Sequence, residues 1–174
     1  MRYRLFFMSL LVGIGCTLSL SQSACTSDSS VKELKCPKGT EYYGGRPPLG
    51  NREYCGRPGA ADSPERVSNH GPWRYWWPNG KLQHSGKYKD GQKHGKFKQW
   101  ADSGQQISEG TYEMDLKKGT WKRWNRAGKI QETVQYKEGR IHGIRTLYDR
   151  DGVLKAELVY EDGELLGRKD ELDR

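Results

Sequence analysis

After residue 20 the chain has no long run of leucine, isoleucine or valine, and only 33% of it is hydrophobic. That excludes a thick aliphatic core and argues for short strands and turns over helices. Cysteine is scarce, four in 174 residues, and Cys36 and Cys55 have no second pair of Cys or His nearby at ligand spacing, which argues against a structural metal. Neither a GxxxxGK[ST] loop nor a GxGxxG context is present to cradle phosphate. His84 has no Ser or Cys beside it at a nucleophile-elbow spacing. Glu109, Glu113, Glu132 and Glu157 pair only on paper as a glycosidase acid and base, because nothing supplies the buried pocket that would separate their pKa values. The reading is a non-catalytic chain without cofactor.

What is plentiful is glycine (22) and aromatic residues (11%), the composition of a β protein with many turns. The N-terminus carries a different signal. Arg2 and Arg4 precede the apolar stretch LFFMSLLVGIGCTLSL and the small, polar SQSACTSDSS, the pattern of a secretory signal over residues 1–24. Cys25, after Ser23 and Ala24, suits a bacterial lipoprotein lipidation site, with Cys16 as the alternative. Counting favours Cys25: its lipidation leaves Cys36 and Cys55 as an even pair in an oxidising compartment. A disulfide between them closes a loop of about 20 residues and adds roughly 3 kcal/mol in the chain-entropy model. The expected organisation is therefore a signal at 1–24, a Ser-rich tether at 25–35, a disulfide-bridged segment at 36–55 and a loose linker at 56–70. The net charge is +8, and about +6 once Arg2 and Arg4 leave. An exported basic chain is expected to meet an acidic partner at the envelope, not nucleic acid.

From residue 71 the chain repeats. Gly71, Gly95, Gly119, Gly143 and Gly167 are 24 residues apart, and a second glycine column runs through Gly80, Gly104, Gly128 and Gly152. Trp76, Trp100, Trp124 and Tyr148 form an aromatic column, and Tyr88, Tyr112, Tyr136 and Tyr160 another. Each unit reads as a β-hairpin with a tight turn at the second glycine. A further turn falls at Asp90-Gly91, Glu138-Gly139 and Asp162-Gly163, and Asp115 replaces glycine at the equivalent place in the second unit. The fold class expected is all-β: a single-layer antiparallel meander of about four 24-residue hairpins over 71–167, about eight strands, with a charged tail at 168–174.

The pattern G-x-W-x-x-W-x-x-x-G followed by Y-x-x-G resembles the MORN repeat, in the bacterial variant often labelled YwqK-type antitoxin. With the signal and the Cys-bracketed segment ahead of it, the chain resembles an exported lipoprotein version. The resemblance implies a single-layer β-meander and a role in scaffolding or membrane attachment, and an antitoxin or immunity role is a further reading that it carries.

Counting from the turn centre places Gly71, Gly95, Gly119 and Gly143 opposite Tyr88, Tyr112, Tyr136 and Tyr160, so that each tyrosine ring would cover a glycine. Trp73 then opposes Gly86, Phe97 opposes Gly110, and Arg145 opposes Leu158. One face collects Trp73, Phe97, Trp121, the tyrosines, Leu82, Ile130, Leu147, Leu154 and Leu158, with Arg123 and Arg145 balancing Glu132 and Asp149. The other carries Trp76, Trp100, Trp124 and Tyr148 among Arg74, Lys81, Lys87, Lys96, Lys98, Lys122, Lys129 and Lys155, against only Glu109 and Glu157. Two accounts of this second face stand side by side. Aromatics on both faces and exposed lysines keep a one-layer sheet stable and unaggregated; or the face binds an anionic lipid or cell-wall polymer. His70, His94 and His142 would lie about 10 Å or more apart on stacked hairpins and are read as turn residues. The leading expectation is a scaffold for another envelope protein, and a polysaccharide-processing enzyme is the least favoured.

Overall fold

The computed structural model describes residues 33–59 and 67–174. The signal segment, Cys16, Cys25, most of the tether and residues 60–66 of the linker lie outside the described residues. The rest forms one antiparallel sheet of 12 strands. Its strands are β1 (Glu41–Gly45), β2 (Arg52–Arg57), β3 (Ser68–Trp76), β4 (Leu82–Lys89), β5 (Gln92–Lys93), β6 (Gly95–Trp100), β7 (Gln106–Glu113), β8 (Leu116–Trp124), β9 (Ile130–Lys137), β10 (Arg140–Tyr148), β11 (Leu154–Glu161) and β12 (Glu164–Arg168). They pair in meander order, with the two-residue β5 pairing β4 beside the main path. A short helix α1, Lys169–Leu172, ends the chain where a charged tail was expected.

The expected register holds. Gly71 faces Tyr88, Gly95 faces Tyr112, Gly119 faces Tyr136 and Gly143 faces Tyr160; Trp73 faces Gly86, Phe97 faces Gly110 and Arg145 faces Leu158. The strand count exceeds eight for local reasons. The disulfide segment is not a separate unit: β1 and β2 extend the repeat sheet, with Tyr54 opposite Trp73. The expected linker at 56–70 is largely strand at both ends, since β2 runs to Arg57 and β3 starts at Ser68. The Cys36–Cys55 disulfide is formed, with the two Cα atoms 5.5 Å apart.

The two turns of each unit differ in type. At the first, Gly80 has φ +80° while Asn79 stays negative, and the Trp77 amide bonds the Lys81 carbonyl. This is a longer turn with one left-handed residue, not the two-residue primed turn that Asn-Gly suggests. Immediately beyond it the register slips by one, so Trp76 faces Leu82, Trp124 faces Ile130 and Tyr148 faces Leu154. The slip carries Leu82, Ile130 and Leu154 onto the tryptophan-column face, contrary to the expectation from simple counting. The second turn is the primed type in all four units, because both central residues have positive φ: Asp90-Gly91, Met114-Asp115, Glu138-Gly139 and Asp162-Gly163. Asp115 takes the glycine's place at φ +67°, and its carboxylate accepts a hydrogen bond from the Lys93 amide at 2.8 Å.

These turns are fastened to a neighbouring strand. The amides of Gly91, Asp115, Gly139 and Gly163 donate to the carbonyls of Asn69, Lys93, Lys117 and Ile141 at 2.8 to 3.0 Å. The histidines serve the same docking: His70 Nδ1 accepts from the Asp90 amide at 3.2 Å, and His142 Nδ1 from the Asp162 amide at 3.4 Å. To let the turn reach over, the strand bulges at the repeat glycine. Between Ile141 and Arg145 three residues stand against one on β9, and Gly143 within them has φ +96°.

The tyrosines do not cover these glycines. A Cβ added at Gly95 or Gly119 would meet nothing within 4 Å, and one at Gly71 would meet Pro37 at 2.8 Å. Glycine is used there for its dihedral angles, so the tyrosines are free to lean on indole and phenyl rings instead. The glycines under rings are Gly86, covered by Trp73 across the strand pair, and Gly110, covered by Trp121 from the following strand and not by its register partner Phe97.

Two stability outcomes follow. Gly110→Ala sets a methyl inside the Trp121 indole and is expected to cost about 2 to 3 kcal/mol, whereas Gly95→Ala meets only backbone strain of about 1 kcal/mol; urea denaturation of the two variants checks the order. Met114 sits at φ +50° where two other units have aspartate, and the neighbouring His94 Nδ1 is buried without a partner among the described residues. Met114→Asp is expected to raise stability by about 0.5 kcal/mol, read as a rise in thermal midpoint.

Candidate binding surfaces

Strand alternation places Trp76, Trp100, Trp124 and Tyr148 on one face with Arg74, Lys96, Lys98 and Lys122, as expected. The residues between them are arranged in rows: Lys96 faces Thr111, Lys98 faces Glu109, Glu109 faces Lys122, and Lys122 faces Thr133. One end of this face is closed. The loop between β1 and β2 lays the Arg46 guanidinium 5.6 Å from the Trp76 ring centroid, and Trp76 is 5% exposed. Arg74 is held by Glu53 at 2.9 Å, and the same carboxylate, 1% exposed, takes Arg46 at 3.0 Å and the Tyr42 hydroxyl at 3.2 Å. Trp76 and Arg74 therefore belong to the interior of the first unit and not to an open binding face. A buried carboxylate needs its partners, since one left unpaired would cost several kcal/mol.

Several of the charges counted on this face are already engaged. Lys98 lies 3.6 Å from Glu109, Lys81 donates to the Ser103 carbonyl in the next turn at 2.7 Å, and Glu157 is met by Lys169 of α1 at 3.3 Å. What stays open is a half-buried row of Trp100, Trp124 and Tyr148, with Lys96 and Lys122 exposed and outside any ion pair among the described residues.

The opposite face holds the more developed surface. Rings follow one another along it: Trp73 to Tyr88 at 5.5 Å, Trp73 to Phe97 at 6.1 Å, Phe97 to Trp121 at 5.8 Å, Tyr112 to Trp121 at 4.9 Å and Trp121 to Tyr136 at 6.3 Å. Each such pair adds about 0.5–1.5 kcal/mol beyond area burial. The Trp121 indole N–H donates to the Thr111 carbonyl at 3.1 Å, which fixes the ring. Burial pushes the Tyr88 and Tyr112 phenols upward in pKa, so both are neutral at physiological pH. Over the ladder's middle lies a groove of about 730 Å³, crossing β6 to β9.

The groove's ends are charged. At one, the Lys117 ammonium stands 4.7 Å from the Trp121 centroid and 4.8 Å from that of Tyr136. At the other are Arg123, Arg126 and Asn125. Glu132, 8% exposed, is saturated by Arg145 at 2.6 Å and Arg123 at 3.4 Å. The expected balance with Asp149 does not occur, because that carboxylate caps its own turn: it accepts from the Asp151 and Val153 amides, both at 2.9 Å, and these bonds hold its pKa below the ordinary carboxylate value. Sequence reasoning missed the groove by treating this face as purely structural. The available signal was Lys117, whose register opposite Tyr112 puts its cation on the aromatic side.

The four glutamates that could be paired for hydrolysis are each engaged with a separate cation: Glu109 with Lys98, Glu113 with Lys118, Glu132 with two arginines and Glu157 with Lys169. Lys118 also holds the Glu113 pKa down, opposite to the direction a general acid requires. Among the described residues no group of three His, Cys, Asp or Glu is placed to hold a metal ion.

Residues 69–90, 117–138 and 141–166 match the family described as MORN repeat variant. These stretches correspond to the first, third and fourth hairpins, the last with β12 added. Repeats of this kind are generally non-catalytic modules in protein or membrane interactions. No curated protein matches the chain.

His84 stands inside the ring ladder, 5.9 Å from Phe97 and 6.4 Å from Tyr75. Burial, and then Lys93, push its pKa below the ordinary 6.5. A base whose folded pKa is depressed stabilises the fold above its unfolded pKa, and that contribution is lost as pH falls through the folded value. Stability is expected to drop on acidification below about pH 6.5, and His84→Gln should flatten that slope in denaturation curves taken from pH 7.5 to 5.

Proposed function

We propose that this protein is an exported, lipid-anchored scaffold of a bacterial envelope that holds a protein partner on its repeat sheet without catalysing a reaction. The observation that carries this reading is the groove of about 730 Å³ over the aromatic ladder, on a sheet that has no second layer among the described residues to fill it. Three features support the location: the signal pattern of residues 1–24, the cysteine at position 25, and a disulfide of the sort found in oxidising compartments. Repeat sheets stacked in one direction offer an extended surface of this kind to a partner chain.

A second reading gives the opposite face a role against anionic lipid or cell-wall polymer. Lys96 and Lys122, exposed beside Trp100 and Trp124, favour it. The two readings separate by site-specific photo-crosslinking in the producing cell, with the crosslinker placed at Gln131 in the groove or at Lys96 on the opposite face. The scaffold reading expects a discrete protein adduct from position 131. Adducts only to lipid or glycan, and only from position 96, would replace it with the second.

A further inference from the structure

The chemistry of the groove also specifies its occupant. We infer that it takes an extended, acidic segment of a partner protein, with carboxylates reaching Lys117 at one end and the arginines at the other. This rests on the scaffold reading and names the partner's chemistry.

Three observations lead there. The cations Lys117, Arg123 and Arg126 line the groove, and its one carboxylate, Glu132, is already held by Arg145 and Arg123. An entering anion therefore meets the charges of Lys117 and Arg126, which no ion pair among the described residues neutralises. Between these ends the lining mixes apolar Phe97, Val134 and Trp121 with polar Gln99 and Ser108. A segment mixing carboxylates with apolar side chains matches it on both counts.

The ring arrangement disfavours a sugar. Stacking of a pyranose needs an open aromatic face, but Trp121 is 7% exposed and Lys117 stands over it. The two rings instead hold the ammonium in place, so an incoming carboxylate finds a cation whose position is already fixed. The groove is also recessed between β6 and β9 and runs along β8 from Lys117 to Arg123, about 20 Å at roughly 3.3 Å per residue, which suits about six residues of extended chain and not a flat bilayer.

The test uses the full chain in detergent and a fluorescein-labelled ten-residue peptide of alternating Glu and Leu, followed by anisotropy. A Lys-Leu peptide is the charge control, and vesicles containing phosphatidylglycerol serve as competitor. The expected result is saturable binding of the acidic peptide, none of the basic one, and no competition by vesicles. Lys117→Gln with Arg126→Gln, neither of which is in an ion pair among the described residues, should weaken binding at least tenfold, whereas Lys38→Gln with Lys89→Gln, neither of which lines the groove, leaves it unchanged. Equal binding of both peptides, or an unaffected groove variant, overturns the inference. Vesicle binding that depends on Lys117 and Arg126 overturns it in favour of lipid. If the position-131 protein adduct persists while the acidic preference fails, only the occupant's charge is wrong; loss of both removes the scaffold reading as well.

Discussion

A sheet with no second layer among the described residues must bury its apolar side chains against one another, and in this protein that requirement is met by aromatic rings meeting tilted or edge to face along one surface. Rings reach across 5 to 6 Å, further than aliphatic side chains do, so a ladder from Trp73 to Tyr136 forms a continuous core one residue thick. The ladder sets the rest. Gly86 and Gly110 are glycines because an indole lies on each. The hydrophobic content stays low because the core is a surface stripe. Among the described residues the stripe has a lining on one side only, and that leaves the groove.

The N-terminal strands answer a different need. The first unit of a repeat array has no predecessor, and its column tryptophan would stand bare. β1, β2 and their loop close over it, and the buried Glu53 gathers Arg46, Arg74 and Tyr42 around its carboxylate. At the other end α1 sets Leu172 against Gly167 and Lys169 against Glu157. The array is thus capped by two unrelated devices, as stacked repeats require.

The hairpins, their register and the disulfide were legible because they depend on spacing alone. A 24-residue beat with glycine at two phases leaves one way to fold the chain back, and Gly71 opposite Tyr88 follows by counting. What was not legible depends on bulges and on contacts distant in sequence. A one-residue slip after the first turn exchanged the faces of Leu82, Ile130 and Leu154, and no residue type announces it. Arg74 read as a surface cation because its partner Glu53 lies 21 residues earlier, outside the repeats. The groove's charge was hidden in the same way: Asp149 seemed to balance the arginines until its turn claimed it.

The docking of each primed turn onto a strand carbonyl recurs at an unchanging interval: 69 with 91, 93 with 115, 117 with 139, 141 with 163. Every unit is therefore joined to the next by the same fastening, and the two ends are finished independently of how many units lie between them. Duplicating or deleting one 24-residue block leaves all surviving joints as they were. Reach along the sheet is then a countable trait, open to change by unequal recombination in the gene without any new packing solution, and the second hairpin, with Met114 and Asp115 in its turn, shows the joint surviving a change of both turn residues.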